Sequence, residues 1–470
     1  MSTFSGLSTA LSSLIAQRQA LEVAGQNVAN ANTVGYTRQR ADLATVSANL
    51  VPALWSSPLT AGNGVQVTSI TRMGDVFLDA RLRAETGGAS FAAAKAEAYS
   101  RLESTVAEPG ELGVANALQE FWAGWQDVGN DPGSKASRSV LLEDATALAK
   151  RINAGHAAVT TQWSQTRTEL DSAINDVNTG AGIVAGLNKS IRGVIASGGS
   201  PNELIDQRNV VVMKLSALVG ASATQRDDGT IDVSVDGNPL VRGENSFAIT
   251  VNPTSYTMGQ PVTLSWAGTP YPLNPASGSI AGMVAALAPT QVTGNGGILA
   301  EAAASYDVLA TTLITQVNAQ HALAVTAGGA AGGAFFTSVG PSSAATLSVA
   351  ITDGADIAVG KPGGGVLDGS MADPMSELGK TTTGPDSHWS DFVVGLGVTS
   401  RSATQRATIT ESTRSTAEGL QMSNASVDID EESTNMLASQ RAYEGAARVL
   451  TAIDSMLDTL INRTGLVGRS

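Results

Sequence analysis

MSTFSGLSTALSSLIAQRQALEVAGQNVANANTVGY, residues 1–36, decides how the rest of the chain is read. Leu7, Leu11, Leu14, Leu21 and Val28 recur on a four-three spacing, and Arg18 and Gly25 fill the two remaining places on that line. Such spacing is the heptad seam of an amphipathic helix that lies against another helix. Asn30, Asn32 and Gly35 stop it, because Asn and Gly accept the left-handed conformation that ends helices. A second seam occupies the far end: Met436, Tyr443, Leu450, Ile453, Leu457 and Leu460, with small Ser439 and Ala446 in the remaining places. The terminal helices are therefore expected to pair as a coiled coil, with each other, with neighbouring copies, or both.

The 470 residues allow several domains. A formal net charge of −14 argues against nucleic acid, which needs Lys/Arg-rich faces to displace counterions, and keeps the chain soluble and self-repelling. Glycine is abundant and aromatics are few, so the chain relies on close backbone approach rather than on large aromatic cores. Cysteine is absent, which excludes disulfides and thiolate metal sites. No apolar run approaches the ~20 residues that span a bilayer, so no membrane insertion is expected. The N-terminus lacks a basic stretch followed by an apolar one, and Arg18 is its first cationic side chain. No cleavable secretory signal is read there. The chain is expected to stay in the cytoplasm or to leave by a route that ignores such a signal.

Between the termini the pattern is mainly helical. Thr37–Ile70 is mixed, with a turn at Gly62-Asn63-Gly64 and a short strand around Val65, Val67 and Ile70. Helices are expected over Asp75–Arg83 and Ser90–Thr105, ending before Glu108-Pro109-Gly110. Another covers Val114–Val128 with Leu118, Phe121, Trp122 and Trp125 on one side, a face read as core because burying aromatics contributes most. The longest runs from about Ser137 to Ile195. There Leu170, Ile174, Val177, Ala181, Val184, Ile191 and Ile195 keep the heptad spacing, interrupted by Asn188. Ser200-Pro201-Asn202-Glu203 reads as a capped start for a helix to Val219.

At 221 the character changes. Thr230–Val235 alternates with period two, Asp236-Gly237 is a hairpin turn, and Leu240-Val241, Phe247–Val251, Val262–Trp266 and Tyr271–Leu273 continue as strands. Helix returns at Ser279–Ala288 and Ile298–Ala324. Ala327–Ala334 reads as a flexible link, Ala345–Ile351 and Asp356–Val359 as strands, and Gly360–Gly369 as loop. Helices follow at Asp386–Val398 and Thr404–Ser426, and Asp428-Ile429-Asp430-Glu431 caps the terminal helix, which ends near Asn462–Gly465. The expected fold is multidomain and mainly α with β insertions. Residues 1–36 with 428–470 form the terminal coiled coil, and 37–220 with 276–335 and 380–427 form a helical body. A β domain at 221–275 and a small β/loop insertion at 336–379 complete it.

Signs of catalysis are weak. Gly360-Lys361 has Gly354 at the wrong spacing and Pro362 where a phosphate loop needs Ser or Thr. The glycine pairs at 62/64, 294/296, 363/365 and 395/397 lack the third glycine of a dinucleotide fingerprint. No Gly-x-Ser-x-Gly elbow or His-Glu-x-x-His is present. His156, His321 and His388 share no ligand spacing and read as ordinary helix residues. Asp227, Asp228, Asp232 and Asp236 do not follow a Ca²⁺-loop spacing and read as solvated carboxylates. No cofactor or metal is expected.

Asn27-Val28-Ala29-Asn30-Ala31-Asn32-Thr33-Val34-Gly35-Tyr36-Thr37-Arg38 resembles the N-terminal signature of bacterial flagellar axial proteins (rod, hook and hook-associated). Ser439-Gln440-Arg441-Ala442-Tyr443-Glu444 through Met456-Leu457-Asp458-Thr459-Leu460-Ile461-Asn462 resembles their C-terminal signature. Two internal stretches are similar to the hook-associated protein 1 family, the first hook–filament junction proteins. One is Leu118-Gln119-Glu120-Phe121-Trp122 with Trp125-Gln126-Asp127, Pro132 and Leu141-Leu142. The other is Asn202-Glu203-Leu204-Ile205-Asp206-Gln207-Arg208 with Leu215 and Leu218-Val219-Gly220. The match is in order through both termini and the first half, and loose over 221–400.

That resemblance implies a non-enzymatic protein exported unfolded through the flagellar type III channel without a cleaved signal. It implies a cytoplasmic export chaperone on the C-terminal helix, and a ring of copies between the hook protein and a second junction protein. Its assembly interface would comprise Leu7, Leu11, Leu14, Leu21, Val28, Asn30, Asn32, Gly35, Tyr36, Met436, Tyr443, Leu450, Ile453, Leu457 and Leu460. A lone helix pair has few partners, so the termini are expected to be mobile in the free monomer. The alternatives are a hook or distal-rod protein and, in another class, a secreted hydrolase.

Overall fold

The computed structural model describes residues 3–46, 64–254, 256–291 and 296–463. The turn expected at Gly62-Asn63 lies outside them. Helix α1 (Thr3–Asn30) ends in a turn where Gly35 takes a φ of +81°, with Val210 packed where a side chain would stand. The chain then forms an antiparallel hairpin, β1 (Gln39–Thr45) with β2 (Val65–Arg72), which pairs Gln39 with Arg72 and Leu43 with Val67. The sequence pointed to β2 alone, since QRADLAT is poor in β-branched residues.

Helix α2 (Val76–Val106) is one helix, where the sequence predicts two. Asp75 caps it by accepting from the amides of Phe77 and Leu78. Gly87, in the gap between the two expected helices, is a close-approach point. A Cβ on Gly87 would stand 3.2 Å from the Ser216 carbonyl, and Gly278 donates to the Gly87 carbonyl at 2.8 Å. Helix α3 (Val114–Asn130) precedes α4 (Lys135–Ala196), whose 62 residues make a rod roughly 90 Å long. Leu141, Leu148, Ile152, Val159, Trp163, Leu170, Val177, Val184 and Ile191 are buried along it and carry the core.

Helix α5 (Asn202–Val219) starts two residues after the expected Ser200 cap, with Pro201 in the cap position and no side-chain cap bond. Asn202 instead turns its amide to Gln39 and to the Ile70 carbonyl.

The strands that follow make two small antiparallel sheets. One orders β3 (Ser222–Gln225), β4 (Ile231–Val235), β5 (Asn238–Arg242) and β6 (Asn245–Ser246); the other orders β7 (Ile249–Asn252), β8 (Thr263–Trp266) and β9 (Pro272–Leu273). Asp236 and Gly237 both have positive φ, as the two-residue hairpin requires. Both sheets hang on α4. The Asn178 side chain bonds Ile249 in both directions, and Asn188 does the same with Ile231.

Helices α6 (Ser279–Leu287) and α7 (Ile298–Ala322) return to the body. Among the described residues α7 is the one helix long and apolar enough to cross a membrane, by length and composition. Its Leu299, Ala302, Tyr306, Leu309, Leu313 and Val317 are buried in the protein core.

The tract at 327–334 is pinned rather than free. Val325 bridges Ala331 and Gly360, and Gly332 donates to the Ala324 carbonyl at 3.0 Å. Beyond it, β10 (Phe336–Thr337) pairs with β11 (Ser348–Val349), and α8 (Ser343–Thr346) occupies the start of the expected strand at 345–351. The strand expected over Asp356–Val359 does not form: Gly354–Asp356 is a 3-10 turn, and residues 357–359 run without regular structure to the bridge at Gly360. After α9 (Ala372–Ser376), α10 (Pro385–Ala425) runs unbroken through the Ser/Thr-rich stretch that reads as a gap.

Helix α10 is anchored by two indoles. Trp122 donates to Asp386 at 2.8 Å, and Trp389 donates to Glu108 at 3.0 Å. The Phe121/Trp125 face is core: both rings are fully buried and pack against Phe335. The last helix, α11 (Ile429–Asp458), is capped by Asp428 and continues as a π-helical turn over Thr459–Arg463.

Candidate assembly site at the paired terminal helices

Helices α1 and α11 lie antiparallel. Near one end, a Cβ on Gly6 would be 3.2 Å from Ile453 Cδ1; at the other, Asn27 donates to Glu432 at 3.0 Å. The two contacts are three heptads apart on each helix. Heptad spacing then places Gly6, Ala10, Ser13, Gln17, Ala20, Ala24 and Asn27 opposite Ile453, Leu450, Ala446, Tyr443, Ser439, Met436 and Glu432 in turn. Ala10, Ala24, Asn27, Glu432 and Ala446 are buried on this seam.

The α11 line coincides with the spacing read from the sequence. On α1 the facing line stands one residue ahead of the leucines. Large residues on α11 fill the seam, so small ones on α1 let the backbones approach. Leu7, Leu14, Leu21 and Val28 are therefore half-buried on a flank of the pair, and Leu11 is 50% exposed. Met436, Leu450, Ile453 and Leu457 are half-buried, Tyr443 is more open, and Leu460 is 54% exposed.

The other flank of α1 carries the hairpin, where the Val65 amide donates to Ser12 Oγ at 3.3 Å.

The segment after α1 is a polar lock. Asn27 is 1% exposed and uses its whole amide. Its Nδ2 donates to the Gln39 carbonyl at 2.8 Å and to Glu432, and its Oδ1 accepts from the Gln39 amide at 3.0 Å and from the Tyr36 hydroxyl at 2.9 Å. Arg38 bridges Glu431 and Glu432, both at 2.7 Å, and its own amide donates to the Ala425 carbonyl. Asp206 of α5 accepts from the Thr37 amide at 3.1 Å and pairs with Arg72 of β2. Asn30 donates back to the Gln26 carbonyl, and Asn32 is exposed. The two resemblance motifs, Asn27–Arg38 and Asn202–Arg208, thus interlock.

The electrostatics follow from burial. The Tyr36 hydroxyl is pushed up to about 12 by desolvation first and then by the charges of Asp206, Glu203 and Glu432. Asp206 is raised by burial, which outweighs the opposing Arg72 contact. Arg38 is raised, chiefly by its bond to Glu431.

Sequence reasoning missed Asn27, Gln39, Asp206 and Glu432. One signal existed: Glu432 stands four residues before Met436 and continues the α11 seam.

Elsewhere the chemistry is structural. His156, Asp307 and Ser342 come together, but Ser342 Oγ donates to Asp307 at 2.7 Å and accepts the Ala345 amide as a helix cap. His156 lies 3.4 Å from the same hydroxyl and 4.0 Å from the carboxylate. That wiring holds a helix end and aims no nucleophile at a cleft. His321 is fully buried and His388 is exposed. Asp228 caps the turn at Thr230 and Asp232 pairs with Arg226, so these carboxylates do not converge. Among the described residues no group of three or more His, Cys, Asp or Glu is arranged to hold a metal.

Residues 99–336 match the family profile of the flagellar hook-associated protein FlgK helical domain. Residues 420–463 match the C-terminal profile of flagellar basal body rod FlgEFG proteins, and residues 7–37 match the flagella basal body rod protein profile. Flagellar hook-associated protein 1 of Bacillus subtilis is 31% identical over 514 residues, covering 100% of both chains. Its Escherichia coli counterpart is 27% identical over 252 residues, covering 53% of this chain and 45% of that protein. The structure of the flagellar hook junction protein FlgK from Burkholderia pseudomallei superposes with a TM-score of 0.61 at 16% identity, over 73% of this chain and 99% of that one. That likeness establishes a shared fold.

Proposed function

We propose a role for this chain that starts from its family: it belongs to the flagellar hook-associated protein 1 family. It is a structural component of the bacterial flagellum at the hook–filament junction. Copies of the chain form an adaptor ring there, joined through their terminal helices, with the hook protein on one side and a second junction protein on the other. The chain carries no catalytic activity. It reaches this place through the flagellar type III channel without a cleaved signal, and a cytoplasmic chaperone holds its C-terminal helix before export. Residues 1–36 with 428–470 act as the assembly unit. The helical body (37–220, 276–335, 380–427) spaces the β domain at 221–275 and the insertion at 336–379 away from it.

The observation that supports this reading is the terminal pair itself. Its seam is closed within one chain, yet Leu11, Val449, Met456 and Leu460 stay about half exposed or more. Burying the exposed half of each such side chain against another copy is worth roughly 1 kcal/mol. Antibody against residues 221–275, applied to isolated flagella, is expected to label a narrow band where hook meets filament. Label along the hook or on the rod would favour a hook or distal-rod protein instead.

A further inference from the structure

Among the described residues four arginines are buried, and they differ in what they face. Arg83 and Arg167 face the carboxylates of Asp79 and Asp171. Arg208 is enclosed by the Asn188 side chain and the Gly229 carbonyl. Arg138, near the start of α4, is 5% exposed and pairs with no carboxylate among the described residues. Its Nε donates to the Pro132 carbonyl at 3.0 Å, and its Nη1 donates to the Gly354 and Ile357 carbonyls at 2.9 and 2.6 Å. These bonds fix the guanidinium in the wall of a cavity of about 360 Å³ and leave Nη2 without a partner among the described residues. Burial holds the Arg138 pKa below its ordinary value, with no carboxylate to offset the lost hydration.

The rest of the cavity is mainly backbone. Two loops enclose it, 325–329 and 359–368, tied together by the Val325–Gly360 bridge. Gly328, Gly329, Gly363, Gly364 and Gly365 line it without a side chain. The amides of Gly328, Gly365 and Val366 make no hydrogen bond to another described residue. One carboxylate lines the cavity, Asp368. It is turned onto the amides of Lys361 and Ser370 at 2.8 and 3.0 Å, and it makes no ion pair with Arg138.

We propose that this cavity binds a phosphate group, with Arg138 Nη2 and the open glycine-loop amides on its oxygens. A guanidinium edge joined to backbone N–H groups matches the charge and the acceptors of an oxyanion. Donors arrive from α4 and from two loops, which suits a tetrahedral anion better than a planar carboxylate. The volume is at the low end of small-molecule sites and exceeds what a bare phosphate fills. A small hydroxylated carrier would bond the loop carbonyls with its hydroxyls. The tract at 360–365 opens no helix, so it is not the nucleotide loop that its spacing excludes; the charge comes from α4. The site stands apart from the terminal pair and does not depend on the junction role.

Titration calorimetry on the full-length chain in chloride buffer tests it, with glycerol 3-phosphate, inorganic phosphate and glycerol as probes. Saturable binding of glycerol 3-phosphate at one site per chain is expected, with none for glycerol. Tighter binding of the ester than of inorganic phosphate supports an organic carrier, and equal binding supports the free anion. No saturable binding of either would overturn the proposal.

Arg138→Gln is expected to abolish binding, but it also unties three carbonyls. Gly365→Glu and Gly328→Glu put a carboxylate into the cavity instead. Nothing lies within 4 Å of a Gly365 Cβ, and a Gly328 Cβ meets only Thr326 Oγ1 at 3.7 Å. Both are expected to melt as the parent does and to weaken phosphate binding about tenfold or more by like-charge repulsion. Parental affinity in either folded variant would overturn the proposal.

Discussion

The Asn27 side chain donates to Glu432 at 3.0 Å, joining the two ends of the chain across 405 residues of sequence. Both residues are buried, and both meet the segment that leads from α1 into the hairpin. Asn27→Ala removes four hydrogen bonds and leaves Glu432 with Arg38 alone. The expected loss is about 2–4 kcal/mol in docking of the terminal pair, with the helical body intact. Hydrogen exchange would read it as faster exchange in α1 and α11 but not in α4. Equal acceleration in α4 would mean that the lock belongs to the body's own cooperative unit.

Asn188 breaks an otherwise apolar heptad line, so Asn188→Leu looks like a repair. The structure gives the opposite expectation. Its amide donates to the Ile231 and Gly243 carbonyls at 2.8 and 2.7 Å and accepts from Arg208 at 2.9 Å. Arg208 is itself buried and lowered to about 10, first by desolvation and then by Arg72 and Arg83. Removing Asn188 leaves that buried cation one acceptor, the Gly229 carbonyl at 2.8 Å. Asn188→Leu is expected to cost at least about 3 kcal/mol, measured as a lower urea midpoint. A raised midpoint would contradict this account.

His321 sets a pH dependence. Its Nδ1 bonds the Gly333 carbonyl at 2.7 Å and its Nε2 accepts the Ala358 amide at 2.8 Å, so the ring is neutral with the proton on Nδ1. Burial lowers its pKa, against a smaller opposing effect of the Gly333 bond. An unfolded histidine takes up a proton near pH 6.5 and this folded one does not. The contribution is complete above about pH 6.5 and is lost as pH falls through that range, by up to roughly 1.4 kcal/mol per pH unit. His321→Gln is expected to flatten the fall in urea midpoint between pH 7 and 5.5. An unchanged slope would count against the neutral, buried ring.

The outer part of the terminal pair is thinly held. Among the described residues of α11 only Glu432 and Ala446 are buried. In free monomer, residues 7–28 and 436–461 are expected to exchange fast, because few apolar contacts oppose local opening. Charge on the α11 seam, as Ile453→Asp with Leu457→Asp, is expected to abolish assembly and chaperone binding. The strands at 222–273 should remain folded by circular dichroism. Their unfolding would make the termini ordinary core.

The α11 seam was legible because five of its seven places from 436 to 457 carry large side chains: Met436, Tyr443, Leu450, Ile453 and Leu457. The α1 seam was not, because the line that faces α11 is Gly6, Ala10, Ser13, Ala20 and Ala24, which periodicity of large residues cannot see. The leucines that did show were read as that seam and stand on its flank. The gaps left within α2 and α10 contain Gly87-Gly88 and a Ser/Thr run, both of which tolerate helix when tertiary contacts hold them. The 327–334 tract looked free because the contacts that pin it, from Val325, Ala324 and His321, are not a property of glycine and alanine composition. Asn27 shows the same limit. Locally it reads as part of a helix stop, and its role as a buried hub depends on residues hundreds of positions away.

The central claim is tested most directly by deleting the gene in the native bacterium. The expected result is lost motility with complete hooks and flagellin shed into the medium, since filament subunits would have no adaptor to grow from. Cells lacking hooks, or cells that swim with full filaments, would contradict it.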